Sequence, residues 1–201
     1  MDAAARQATE LWRTAHDWRF VPGRTPYTHW SYPVAAVAAY VAALPALTRV
    51  MATRKPIDMP YLLFAHNMSL CLASLSLASW LTYTLASQAA TYSYVGLICA
   101  KGMHEHGHLQ LIYYLNSFFK VWEFLDTFLL VLRKKPVPFL HWYHHAATLV
   151  LTWVQMVEGS TCQWVPIVLN LWVHVAMYYY YAMSALGFRI WWKKYLTTMQ
   201  I

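Results

Sequence analysis

Apolar residues in this chain run in long blocks, not in the strict alternation of a half-buried strand or the single stripe of a surface helix. Five such blocks cover residues 32–50, 59–86, 109–132, 137–157 and 164–188. Each is near the length of about 20 residues that a helix needs to cross the hydrocarbon of a bilayer. A sixth begins near residue 195 and runs to the chain end at Ile201. Helix breakers separate the blocks: Pro56 and Pro60, Gly102 and Gly107, Pro136 and Pro138, Gly159, and Gly187. The pattern predicts an all-α, polytopic integral membrane protein with about five complete spans and the start of a sixth. Residues 1–31 form an N-terminal segment, and 32–201 form one membrane domain without internal repeats.

Basic residues divide the connectors into two kinds. Arg49, Arg54 and Lys55 follow the first span, Arg133, Lys134 and Lys135 the third, and Arg189, Lys193 and Lys194 the fifth. The alternate connectors carry Lys101 or no basic residue. By the positive-inside rule the three basic connectors face the cytosol and the N-terminus is lumenal, although Arg6, Arg13, Arg19 and Arg24 pull mildly the other way. Residues 1–31 lack the basic-then-apolar layout of a cleaved signal peptide, so the first span is expected to insert as an anchor.

Ionisable side chains are costly in hydrocarbon and persist mainly where they line a cavity or do chemistry. His141, His144 and His145 open the fourth span in the run HWYHH, at helical spacings i, i+3 and i+4 that bring imidazoles together. On the third span Lys120, Glu123, Asp126 and Thr127 follow one stripe, and on the fifth Asn170, His174, Met177, Tyr178 and Tyr181 follow another. Three polar stripes converging on one cavity, just inside the cytosolic face, is the economical expectation. His66 reads as a lone polar contact, the Tyr178–Tyr181 run as packing, and His104, Glu105, His106 and His108 as an exposed loop with no metal site.

Composition narrows the class further. The chain is 59% hydrophobic, 17% aromatic and only 11% charged, with a mean hydropathy of +0.33, outside the balance of a soluble domain. The net charge of +7 sits largely in the connectors, where membrane lipid and not nucleic acid is the expected partner.

The motifs KxxExxDT (Lys120 to Thr127), HxxHH (His141 to His145), NxxxHxxMYxYY (Asn170 to Tyr181) and TxxQ (Thr197 to Gln200), in that order, resemble the ELO family of very-long-chain fatty acid elongases, fungal-type members in particular. The resemblance implies an ELO-type helical barrel of seven spans in the endoplasmic reticulum membrane, so this chain is expected to stop short of the last ones. It also implies the condensing step of elongation: a long-chain acyl-CoA and malonyl-CoA give a 3-oxoacyl-CoA, CO2 and CoA. No tightly bound cofactor is expected; acyl-CoA and malonyl-CoA are substrates, and the later enzymes of the cycle and a second copy of the chain are expected partners.

Such a condensation needs an acyl acceptor, a hold on the malonyl thioester as its enolate forms, and exclusion of water. By the resemblance, His144 carries the acyl group. His141 and His145 orient it or move protons, Asn170 and His174 donate hydrogen bonds, and Lys120 meets Glu123 and Asp126 or the malonyl carboxylate. Arg133, Lys134, Lys135, Arg189, Lys193 and Lys194 would attract the CoA phosphates. Cys71, Cys99 and Cys162 have no histidine beside them in sequence; a pairing of Cys99 with Cys162 is left open. The rival classes are a membrane di-iron desaturase or hydroxylase, which needs about eight histidine ligands, and a proton-coupled transporter using the same ionisable stripes.

Overall fold

A computed structural model describes residues 3–100, 103 and 106–199, and among them every regular element is helical. The helices are α1 (Ala3–Asp17), α2 (Ser31–Ala52), α3 (Pro60–Ala89), α4 (Tyr94–Cys99), α5 (Gly107–Trp122), α6 (Phe124–Leu132), α7 (Phe139–Glu158), α8 (Trp164–Ala185) and α9 (Lys193–Met199). The expected spans correspond to α2, α3, α5 with α6, α7 and α8, while α1 and the short α4 were not expected. The boundaries follow local chemistry. Pro60 opens α3 at a position where a missing N–H costs nothing, and Gly159 ends α7 in the left-handed conformation (φ 65°) that closes helices well.

Two helices, α2 and α3, are long and apolar enough to cross a membrane by length and composition alone. The third expected span fails that test because it is interrupted: α5 ends at Trp122 and α6 starts at Phe124, with Glu123 capping both. Its backbone remains helical there (φ −59°, ψ −20°), so the two pieces form one rod with an irregularity at the glutamate. Polar residues within α7 and α8, three histidines in one and an asparagine, a histidine and four tyrosines in the other, dilute their apolar content. Leu62, Leu72, Leu151 and Leu169 nonetheless point outward. Scattered apolar side chains on the outer face suit helices whose solvent is lipid.

α3 lies along α8, α5 along α7 and α3, α2 against α6 and α7, and α1 rests on α5. One core joins Leu77, Leu81, Leu109, Ile112, Ile167 and Leu171. A second joins Tyr40, Phe124, Ala146 and Leu149. Gly107 lets α1 approach: a Cβ there would collide with the His16 carbonyl. At the opposite end the Ile57 N–H donates to the Leu132 carbonyl (3.1 Å) and Lys134 Nζ to that of Ala52 (3.2 Å). With Leu63, Arg133 and Ala185 around one cavity, the three basic connectors gather at one end of the bundle.

The histidine-rich connector is only partly a loop. His108 is buried within α5, stacked near Trp12 (ring centroids 4.1 Å) and 5.7 Å from His16. His106 accepts from Gln88 Nε2 (3.1 Å), while burial, reinforced by His108, His16 and Arg19, holds its imidazole below the ordinary pKa. His104 and Glu105 lie outside the described residues, as do Lys101, Gly102 and the Gln200 of the terminal TxxQ pattern. Cys71, Cys99 and Cys162 are all free thiols.

Candidate active site

The irregularity at Glu123 marks the centre of the site. Lys120 closes the last turn of α5, so its ammonium folds back onto the carboxylate three residues on, giving Nζ–Oε distances of 2.8 and 3.1 Å. Both side chains are almost fully buried, at 2% and 3% exposure. An unpaired charge in such a place is prohibitive, and a pair survives only when its remaining donors and acceptors are also met. Asn170 of α8 supplies one of those partners: Lys120 Nζ donates to its Oδ1 (2.8 Å).

Asn170 then passes the order on. Its Nδ2 lies 3.2 Å from His174 Nε2, one helical turn later. An amide nitrogen can only donate, so His174 accepts at Nε2 and, when neutral, carries its proton on Nδ1. That Nδ1 stands 3.2 Å from Glu123 Oε1, and His145 Nδ1 from α7 stands 3.5 Å from Oε2. Neither contact is aligned as a hydrogen bond, so each is a close approach of an imidazole nitrogen to the carboxylate. Lys120, Asn170, His174 and Glu123 thus close a ring through two helices, with His145 approaching from a third.

A second polar group lies one turn further along α6. Asp126 does not meet Lys120; its Oδ1 is 2.6 Å from His66 Nε2 on α3, and its Oδ2 accepts from the Tyr178 hydroxyl at 2.7 Å. His66 is therefore not a lone polar contact, and Tyr178 is more than packing. Tyr178 falls on the stripe expected of the fifth span, but its partner, like that of His66, lies on another helix, a relation that no spacing within one span reveals. The signal was the bare presence of an ionisable residue in the apolar run of α3. Thr127 leaves the expected stripe altogether: it bonds the Tyr40 hydroxyl of α2 (2.6 Å) in a buried contact.

The three box histidines diverge. His145 is buried against Glu123; the His141 ring lies 4.6 Å from it, with a buried Nε2 that has no hydrogen-bond partner. His144 is exposed, its ring 5.9 Å from that of His145. The cause is helical geometry, since residues i and i+1 point about 100° apart at 3.6 residues per turn. Among the described residues no three His, Cys, Asp or Glu side chains stand together as metal ligands do.

A cavity of about 410 Å³ opens beside the Asp126–His66 pair, lined by Leu63, His66, Asp126, Arg133, His141 and Tyr181 among others; His144 and the residues of the Glu123 ring are not part of its lining. Of the six expected phosphate-binding residues, Arg133 alone is among those that line it. Lys134, Lys135, Arg189, Lys193 and Lys194 are exposed around the same end, with Lys134 bonded to a backbone carbonyl and Lys194 lying 5.0 Å over the Tyr195 ring.

An all-helical chain of long apolar helices with a buried lysine, two carboxylates and histidines from three helices is a membrane protein built around an internal polar site. Residues 25–201 match the family model described as ELO, the GNS1/SUR4 family, and the chain belongs to that family. A Schizosaccharomyces pombe relative with an elongase name is 36% identical over 185 residues, 92% of this chain and 55% of its own length. Fatty acid elongase A of Dictyostelium discoideum is 36% identical over 177 residues, 88% of this chain and 65% of its own. Fatty acid elongase 2 of Trypanosoma brucei brucei is 50% identical over 70 residues, 35% of this chain and 26% of its own. The chain therefore spans 55–65% of the length of the first two relatives.

Proposed function

We propose that this chain carries the catalytic centre of a condensing enzyme of fatty acid elongation, a very-long-chain 3-oxoacyl-CoA synthase of the endoplasmic reticulum membrane. The observation that carries the reading is the Glu123-centred ring, an ion pair with imidazoles and an amide held inside apolar helices, one turn from the Asp126–His66 pair that lines a cavity with Arg133 on its wall. Lipid-facing helices would keep water from a reactive acyl intermediate.

In the proposed reaction the His144 imidazole attacks the acyl-CoA carbonyl carbon, the C–S bond breaks, and the CoA thiolate leaves with the imidazole proton. Loss of CO2 from malonyl-CoA leaves a thioester enolate. Its carbon attacks the acyl-imidazole carbonyl, the new C–C bond forms, and the departing imidazole takes one proton from the medium. His141 and His145 are the proposed proton carriers, a role supported by their nearness: the His141 and His144 rings lie 4.6 and 5.9 Å from that of His145. Asn170, fixed by Lys120 and with one amide N–H spent on His174, keeps its second N–H as a preorganised donor for the enolate oxygen. The basic connectors at the cavity end, placed on the cytosolic side with a lumenal N-terminus, would meet the CoA phosphates. The later enzymes of the cycle and a second copy of the chain are the proposed partners.

The test uses the full-length protein in membranes, given a long-chain acyl-CoA and labelled malonyl-CoA. Labelled 3-oxoacyl-CoA is expected, with its formation reduced at least a hundredfold by His145→Ala or His174→Ala at unchanged protein abundance. Absence of product from the wild-type protein across an acyl-chain series would overturn the reading.

A further inference from the structure

The charges of the two polar groups do not balance alike. Lys120 and Glu123 cancel, whereas Asp126 has no lysine or arginine among its hydrogen-bond partners, only the His66 imidazole and the Tyr178 hydroxyl. Its side chain is 15% exposed and that of His66 7%. Purely structural glue at this depth would be served more cheaply by apolar packing. Donation to an ionised Asp126 requires the proton of His66 on Nε2, which makes the imidazole a directed donor from α3. Both oxygens of Asp126 are then engaged, one from α3 and one from α8.

We propose that His66 is a positioning residue of the reaction, holding the Asp126 carboxylate opposite Tyr178 as a fixed anion on the wall of the cavity that His141 lines. The inference rests on the proposed condensation. Its consequence is local: an imidazolium formed on His141, whose Nε2 is buried without a partner, faces a preset counter-charge across the cavity. His141 can then carry the His144 proton on its way to the departing CoA thiolate and return one from the medium after the C–C bond has formed. The groups facing this pair are Tyr178 and Tyr181 from α8, His141 from α7 and Arg133 at the end of α6, with Trp122 6.5 Å from the His66 ring. None of these supplies a second donor to Asp126 Oδ1 in place of His66.

The experiment compares His66→Ala and His66→Gln in the full-length protein; glutamine puts an N–H donor near the position of Nε2. His66→Ala is expected to lower kcat at least tenfold with KM within about twofold, because the Asp126 carboxylate loses the donor that fixes it. His66→Gln should restore most of kcat. Equal losses in both variants, a loss traced wholly to protein abundance, or a rise in KM in place of the fall in kcat would overturn the proposal. A second readout needs no turnover. Dicyclohexylcarbodiimide reacts with carboxyls in apolar surroundings, and without His66 the Oδ1 atom is left open to it, so mass spectrometry should find more label on Asp126 in His66→Ala than in wild type. Equal labelling overturns the positioning role even if the wild-type protein condenses nothing, and increased labelling of an inactive enzyme leaves the His66 contact standing while the condensing reading falls.

Discussion

Removing one partner of the Lys120–Glu123 pair isolates what the ring holds together. In Glu123→Leu the ammonium of Lys120 keeps Asn170 Oδ1 at 2.8 Å but loses both carboxylate contacts, at 2% exposure. Breaking a buried pair in this way costs about 3–5 kcal/mol, mostly for the stranded charge. For a protein of this size each kcal/mol corresponds to about 2–4 °C in Tm, so a fall of roughly 6–20 °C is expected. Lys120→Met in the same background removes the stranded charge, and the double variant should recover more than half of that loss. The assay is thermal denaturation of the full-length protein in nanodiscs, read by aggregation or by a thiol probe on buried Cys71. A drop below about 2 °C in Glu123→Leu, or a double variant no more stable than it, would refute the claim that the pair's energetics are those of a desolvated charge. Condensation is expected to stay abolished in the double variant.

Three further outcomes test other parts of the structure. Full-length enzyme given long-chain acyl-CoA without malonyl-CoA should release CoA and gain one acyl mass on the peptide containing His144, and His144→Ala should do neither; CoA release only after malonyl-CoA is added would exclude the covalent step. A glycosylation acceptor inserted near Lys134 should stay unmodified while one near Gly159 is glycosylated, and the reverse pattern would invert the proposed orientation. The His106 imidazole, depressed by burial and by His108, His16 and Arg19, is neutral in both folded and unfolded chains at high pH and resists protonation only when folded. Docking of α1 on α5 should therefore weaken as pH falls below about 6.5; hydrogen exchange in α1, corrected for its intrinsic rate, should rise on acidification and respond less in His106→Gln.

Much of this architecture was legible in the apolar blocks because a spanning helix is defined by its own length and composition. The starts of α2, α3, α7 and α8 fall within two residues of the positions read from sequence. The Lys120–Glu123 and Asn170–His174 contacts were also legible, since i,i+3 and i,i+4 spacing places such side chains on one face. What escaped depends on neighbours. Asp126 finds His66 and Tyr178 rather than Lys120, and Thr127 finds Tyr40, because the rod of α5 and α6 is surrounded by α2, α3, α7 and α8 and each residue meets whichever helix faces it. The break at Glu123 left no trace in the run KVWEFLDT, which contains no glycine or proline. α1 escaped for the opposite reason: its amphipathic stripe is too polar to register as a membrane block.

The position of Glu123 along its rod carries a consequence for the length of chain the site can take. It lies ten residues before Arg133, the first of the basic residues at the cavity end. At 1.5 Å per residue that is about 15 Å, half the thickness of a hydrocarbon layer of about 30 Å. That is deeper than the position just inside the cytosolic face expected from sequence; in the proposed reaction the thioester carbon lies near the depth of Glu123, and the acyl tail has about one leaflet's depth before it meets the far surface. Saturated tails longer than that leaflet cannot lie straight along the membrane normal: they must fold back or pass sideways between helices, so the lateral openings of the bundle, rather than its height, would decide how long a product it releases.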